Sequence, residues 1–196
     1  MAFPGLTPRA STGLVVLHWT AGRGDSSQVF RTLRADGLSV HFCIDVDGSI
    51  TQYADAGMMC SHASGMNARA VGIEIVNPAT PDVAGPPKRT VLRERINGRD
   101  VIYSAFLPAQ VRSAIDLTTA LCVAYRLPIA APTIAGDVIP RQLTPTELAA
   151  HRGFCGHFHW SPVKRKSDPG LALLRAIIAE PGRLSQAPEA PEPAAE

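Results

Sequence analysis

The segment Gly13-Leu-Val-Val-Leu-His18 constrains this chain most. Positions 14–17 are apolar without a break, and a histidine follows them. A strand with one wet face alternates apolar and polar residues, so an unbroken apolar run fits a strand buried on both faces. Such a strand belongs inside a sheet, with other elements packed above and below. Val71–Val76 is a second apolar strand, interrupted by Glu74. With 196 residues the chain can cover both. A domain of that size removes roughly 70% of its unfolded surface from water.

Helix signals supply the cover. Ser26 or Ser27 can cap a helix running to about Ala35, with Val29, Phe30 and Leu33 on one face and Gly37 ending it. Pro108 opens a long helical pattern to about Arg126, with Val111, Ile115, Leu117, Leu121, Cys122 and Tyr125 apolar. Thr144-Pro-Thr-Glu147 reads as the capped start of a short helix, and Pro169–Ala179 as a last one.

Turn chemistry divides the rest. Asp47-Gly48 joins a strand over Val40–Val46 to another over Ser49–Tyr53. Asn97-Gly98-Arg99 joins Thr90–Ile96 to Asp100–Phe106, a hairpin that reads as decoration. Met58–Asn67 reads as loop, Asn77–Lys88 as a proline-rich surface excursion, and Pro128–Pro140 as irregular. Gly153–Gly156 is a short strand leading into His157. Helices alternate with strands, yet hairpins also occur. The expected fold is α/β, a single domain with a mixed central β-sheet flanked by helices. It should span residues 1–180. Residues 181–196 are rich in Pro, Ala and Glu and read as a disordered tail.

Composition narrows the function. A net charge of +2 gives no reason to expect a nucleic-acid partner. No apolar run reaches the roughly 20 residues of a membrane helix. The first residues lack a basic start and an apolar core, so no signal peptide and a cytoplasmic location are expected. Cys43, Cys60, Cys122 and Cys155 are scattered in apolar surroundings and read as buried, reduced thiols. Six histidines remain to be explained: His18, His41, His62, His151, His157 and His159. A strand-end His18, with a His and Asp168 from the distant loop 157–170, makes a mixed nitrogen and oxygen set. Zinc accepts such ligands, and three of them leave one position open.

Four stretches together resemble the zinc-dependent N-acetylmuramoyl-L-alanine amidases, the family shared by phage lysozyme-like amidases, cell-wall-recycling amidases and peptidoglycan recognition proteins. They are Leu17-His-Trp-Thr-Ala21, Val40–Ile50 with Ser61-His-Ala63, Val71-Gly-Ile-Glu-Ile75, and the loop from Gly156-His157 to Asp168-Pro-Gly170. The last is most similar to the recycling type. The resemblance runs over roughly residues 12–179. It implies zinc as cofactor and a peptidoglycan or muropeptide substrate, with no nucleic acid, no membrane insertion and a monomeric state. It implies hydrolysis of the bond between the lactyl group of N-acetylmuramic acid and L-alanine.

By the same resemblance the zinc ligands are His18, His157 and Asp168, with His151 and His159 as alternatives to His157. Glu74 matches the catalytic carboxylate and Lys166 the catalytic cation. His62, Asn67 and Arg165 match the substrate groove, and His41 a packing or supporting residue. Two departures stand out. Val40 occupies the position where phage-type members carry a tyrosine, and the closing loop has one extra residue around Val163–Lys164. A phage endolysin, released by a holin, and a bacterial recycling enzyme both fit this reading. A non-catalytic peptidoglycan-binding module of the same fold is the main rival, and a phage structural protein a third possibility.

Overall fold

The computed structural model describes residues 2–81, 88–161 and 166–180. The expected tail, the extra loop residue and Arg165 lie outside the described residues. The elements in order are β1 (Thr7–Pro8), β2 (Leu14–Ala21), α1 (Ser26–Ala35), β3 (Phe42–Ile44), β4 (Ile50–Gln52), β5 (Met58–Met59), β6 (Ala70–Pro78), β7 (Val91–Ile96), β8 (Arg99–Ser104), α2 (Pro108–Ala124), β9 (Thr133–Ile134), β10 (Asp137–Val138), α3 (Pro145–Ala150), β11 (Gly153–Gly156) and α4 (Leu171–Ala179). Five strands form the central sheet in the order β11-β2-β6-β3-β4. The first four are parallel and β4 runs antiparallel at the edge. This is the mixed sheet that the sequence pattern implies.

Alternation along β2 and β6 sends two sets of side chains to opposite faces. Val15, Leu17, Val71, Ile73 and Ile75 meet α2 and α4 in the largest core, together with Phe42, Ile44, Ile115, Leu174 and Ile177. The other face carries two smaller cores. Leu14, Val16, Ala70 and Cys155 pack with Met66, Leu143 and Leu148. Val40, Cys43 and Val76 pack with Phe3, Phe30 and Tyr53. All four cysteines are buried and free.

Local chemistry moves some boundaries. Asp25, rather than a serine, caps α1 by accepting from the Gln28 amide at 2.8 Å. Thr144 and Glu147 cap each other at the start of α3, as the sequence implies. The strand read over Val40–Val46 contracts to Phe42–Ile44, because the Asp45–Ser49 turn occupies the residues after it. Helix α4 begins at Leu171, past a turn containing Pro169 and a Gly170 with φ of 92°. The stretch read as irregular before Pro140 contains the small β9–β10 hairpin.

The β7–β8 hairpin is a correction of larger consequence: it is no decoration. Ile96 and Tyr103 are buried, and Tyr103 stacks on Trp19 of β2 with ring centroids 5.0 Å apart. Tyr103 donates to Glu94 at 2.6 Å. The same carboxylate oxygen accepts from the first amide of α4, Leu171, at 2.7 Å. At the hairpin tip, the Asn97 amide donates to the carbonyls of Phe158 (3.2 Å) and Lys166 (3.1 Å). The hairpin, joined to the sheet by the Tyr103–Trp19 ring contact, by Ile96 in the main core and by the Asn77 amide on the Ser104 carbonyl, thus ties down the chain on both sides of Asp168.

Candidate active site

Register builds one half of the site. In the β2–β6 ladder His18 stands opposite Glu74, and in the β6–β3 ladder Glu74 stands opposite Cys43. Residues opposite each other in neighbouring parallel strands share a face, so the three form a row. The neighbouring strand β11 pairs Gly156 with Leu17 and then ends, which delivers His157 beside His18. The row runs between the two smaller cores. It is the polar seam of an otherwise apolar sheet face.

The second half comes from the loop. Asp168 approaches His157 and His18, with its Oδ2 3.1 Å from His157 Nδ1 and 3.4 Å from His18 Nδ1. The two Nδ1 atoms are 3.0 Å apart. A tetrahedral ion with bonds of about 2.0–2.1 Å holds its ligands about 3.3 Å from one another. The triangle therefore has the size and the donor chemistry that zinc requires. Among the described residues, His18, His157 and Asp168 are the group with these properties, and all three are buried.

Their charge states suit a cation as well. Burial, and then the neighbouring His157, push the His18 imidazole down to about 4. It is neutral at pH 7, the form in which histidine binds metals. Burial works against ionisation of Asp168, but its contacts with the His157 and His18 imidazoles prevail and hold it below the usual carboxylate range. The neutral His18 ring, the ionised Asp168 carboxylate and the His157 Nδ1 bring three cation-binding atoms to one point.

The other histidines of this stretch are occupied elsewhere. His159 accepts from the Gly156 amide at 3.1 Å and bonds the Ile139 carbonyl at 2.9 Å. His151 reaches the Phe154 carbonyl at 3.1 Å through Nε2. His41 lies beside His62, with ring centroids 5.7 Å apart, accepting from the Gly72 amide at 2.9 Å and facing the Met58 carbonyl at 2.9 Å.

Glu74 has one buried carboxylate oxygen, Oε2, with no hydrogen-bond partner among the described residues. Burial, then the negative Asp168, push it up to about 8, against the pull of Lys166. An orphaned carboxylate is costly in a fold unless it serves a purpose there. It borders a cleft of about 110 Å³, also lined by Thr20, Gly22, Arg23, Gln28, Val29 and Leu33. Lys166 is exposed beside the hairpin tip, its carbonyl pinned by Asn97, and its charge is felt at both Glu74 and His18.

The expected groove residues divide. The His62 Nδ1 lies 3.0 Å from His18 Nε2. Asn67 uses its side-chain oxygen to hold the amides of His62 (3.1 Å) and Ala63 (2.7 Å). Arg165 lies outside the described residues. Sequence reasoning missed Asn97 and Glu94 altogether. The Asn97-Gly98 pair signals a turn, and nothing local shows that the asparagine side chain reaches a distant loop.

No curated protein matches the chain by sequence. Among solved structures, it is similar to the N-acetylmuramoyl-L-alanine amidase LysC from Clostridium intestinale URNW, at 19% identity and a TM-score of 0.55, over 89% of this chain and 90% of that one. It is similar to the amidase AmiD from E. coli, solved with anhydro-N-acetylmuramic acid-L-Ala-D-gamma-Glu-L-Lys, at 19% identity and a TM-score of 0.53, over 84% and 57%. The Drosophila peptidoglycan recognition protein PGRP-SA follows at 17% identity and a TM-score of 0.51, over 90% and 84%. At such identities these likenesses establish the shared fold. The sequence model described as N-acetylmuramoyl-L-alanine amidase matches residues 8–171, a span that holds the whole central sheet, the His18–His157–Asp168 triangle and Glu74, and the chain belongs to that family.

Proposed function

We propose that this protein hydrolyses the amide between the lactyl group of N-acetylmuramic acid and L-alanine, in peptidoglycan or in muropeptides released from it. His18, His157 and Asp168 hold zinc in this reading. The observation that carries it is the triangle of buried donors 3.0–3.4 Å apart beside a Glu74 oxygen that has no partner among the described residues. When bound, zinc supplies Lewis acidity, which polarises a carbonyl and lowers the pKa of a coordinated water toward about 7.

The chain's own residues do the rest. Glu74 accepts the proton of the attacking water and returns it to the departing L-alanine nitrogen. The C–N bond breaks, the water oxygen stays in the new lactyl carboxylate, and the peptide leaves with a free amine. Lys166 lies where negative charge grows on the scissile carbonyl oxygen, and a cation there favours the tetrahedral state over the planar amide. Arg165, with a fork geometry suited to carboxylates, serves the acidic peptide stem. Val40 offers no phenol, so proton transfer falls to Glu74.

The test combines metal content with product mass. Freshly purified protein should carry about one zinc per chain, lost on His18→Ala or Asp168→Ala. Mass spectrometry of a digested muropeptide should give a sugar with a free lactyl acid and a peptide beginning with L-alanine. Protein that holds muropeptide without cutting it would instead be a binding module, and metal-free protein would sink the reading.

A further inference from the structure

Resting on the zinc reading above, we propose that His62 is a positioning residue, which sets the His18 tautomer and thereby presents a bare Nδ1 to the metal. The argument starts at a backbone carbonyl. The Ala70 oxygen can only accept, and it lies 3.3 Å from His62 Nε2. That nitrogen therefore carries the ring proton, and in the neutral imidazole the other nitrogen, Nδ1, carries a lone pair. His62 Nδ1 is 3.0 Å from His18 Nε2. One member of that pair must donate, so His18 bears its proton on Nε2. A neutral ring has one N–H, which leaves His18 Nδ1 bare where it faces His157 and Asp168.

The reverse arrangement loses the carbonyl bond at one end and blocks the metal at the other, although the His18 proton would then face Asp168. A proton on His62 Nδ1 would turn the Nε2 lone pair toward the Ala70 carbonyl, two acceptors 3.3 Å apart. It would also put the His18 proton on Nδ1, inside the triangle, where it must leave before a cation enters. The direction of the whole relay is thus fixed by a group that cannot titrate.

The surroundings are built to hold this ring. Gly72 lies in β6 on the face shared by Ala70 and Glu74, and a Cβ there would fall 2.7 Å from His62 Cγ and Nδ1. The imidazole lies in the space that the missing side chain leaves. Asn67 fixes the loop by accepting from the amides of His62 and Ala63. The histidine assigned to the substrate groove on resemblance is thus wedged between a strand and a candidate ligand.

Long-range ¹H–¹⁵N NMR of chelated wild-type protein should give the Nε2–H pattern for His18. An Nδ1–H pattern would overturn the proposal without any substitution. Zinc affinity, measured by competition with a chromophoric chelator, supplies the second arm. His62→Phe, which keeps a flat ring on Gly72 but accepts nothing, should weaken zinc by about 10–100-fold. His62→Gln, with a carbonyl that can accept from His18 Nε2, should lose less. Gly72→Ala, which displaces the ring, should weaken zinc as well. Wild-type affinity in folded His62→Phe would overturn the positioning role and leave the proposed function standing. A wild type that takes up no zinc would overturn the proposed function, while the NMR pattern still decides the tautomer.

Discussion

The two halves of the site are held by different means. His18 and Glu74 sit on β2 and β6, opposite each other in a continuous parallel ladder. Backbone bonds alone fix their spacing, and a slip of one residue would throw both onto the wrong face. Asp168 and Lys166 sit on a loop with no ladder. The Phe158 amide donates to the Asp168 carbonyl at 3.2 Å, and side chains pin the rest: Asn97 on the Phe158 and Lys166 carbonyls, and Glu94 with Tyr103 on the first amide of α4. One half is rigid by topology. The other rests on one backbone bond and a few particular side chains.

The largest effects test whether the two halves contribute chemistry of comparable weight. Glu74→Gln, on the sheet, should keep zinc and lower kcat by about 10²–10⁴. Lys166→Met, on the loop, should keep zinc and lower kcat by about 10²–10³. Muropeptide binding should change far less in both, because these groups act on charge that develops in the transition state. Near-normal kcat in Glu74→Gln would mean that the carboxylate is structural.

A second test uses pH on metal-free protein. Glu74 is raised from 4.5 to about 8, so it favours the fold while protonated, and that contribution is lost as pH rises from 4.5 through 8. Glu74→Gln should therefore gain stability over wild type with increasing pH across this window, by about 1.4 kcal/mol per unit at most. The buried His41, lowered to about 4, acts in the opposite sense. It favours the fold above pH 6.5, and the loss develops as pH falls from there to about 4. Denaturation in chelator at pH 5 and pH 8 measures the difference, and a constant gap would mean that Glu74 has a cationic partner.

The third sharpens the comparison at the brace. Asn97→Ala strips bonds from two loop carbonyls and from the Gln142 amide, which Asn97 also accepts at 2.7 Å. It should cost about 1–3 kcal/mol and weaken zinc as well. Ser113→Ala, removing a bond from α2 to the Gly48 carbonyl far from the triangle, should cost about 0.5–1.5 kcal/mol and leave zinc affinity unchanged. Equal zinc affinities in the two variants would show that the loop needs no brace.

The same contrast explains what could be read in advance. Leu14–Leu17 and Val71–Val76 announce buried parallel strands because burial is written in their composition, and once the strands pair, His18 and Glu74 follow by counting. His157 follows too, because β11 ends one residue before it. The work of Asn97 and Glu94 could not be read, since a side chain bonding the backbone of a distant loop leaves no periodic trace. His62 was visible as a loop histidine, but its fit on Gly72 appears only when β6 and the loop are brought together. The hairpin was legible as a hairpin and misjudged in importance, because importance here is a matter of contact and not of pattern.

The polar seam between the two smaller cores has a thermodynamic corollary. Leu14, Val16 and Met66 lie on one side of it, Val76, Tyr53 and Phe30 on the other, and the three candidate ligands converge along it. An ion bound only by the folded chain adds stability by mass action, about 2.7 kcal/mol when free ligand is a hundredfold above its dissociation constant. The melting temperature then reads out occupancy. Chelation would lower the barrier to local opening along this one line before the main core behind the sheet is disturbed, and would expose the metal-free chain to proteases at the seam first.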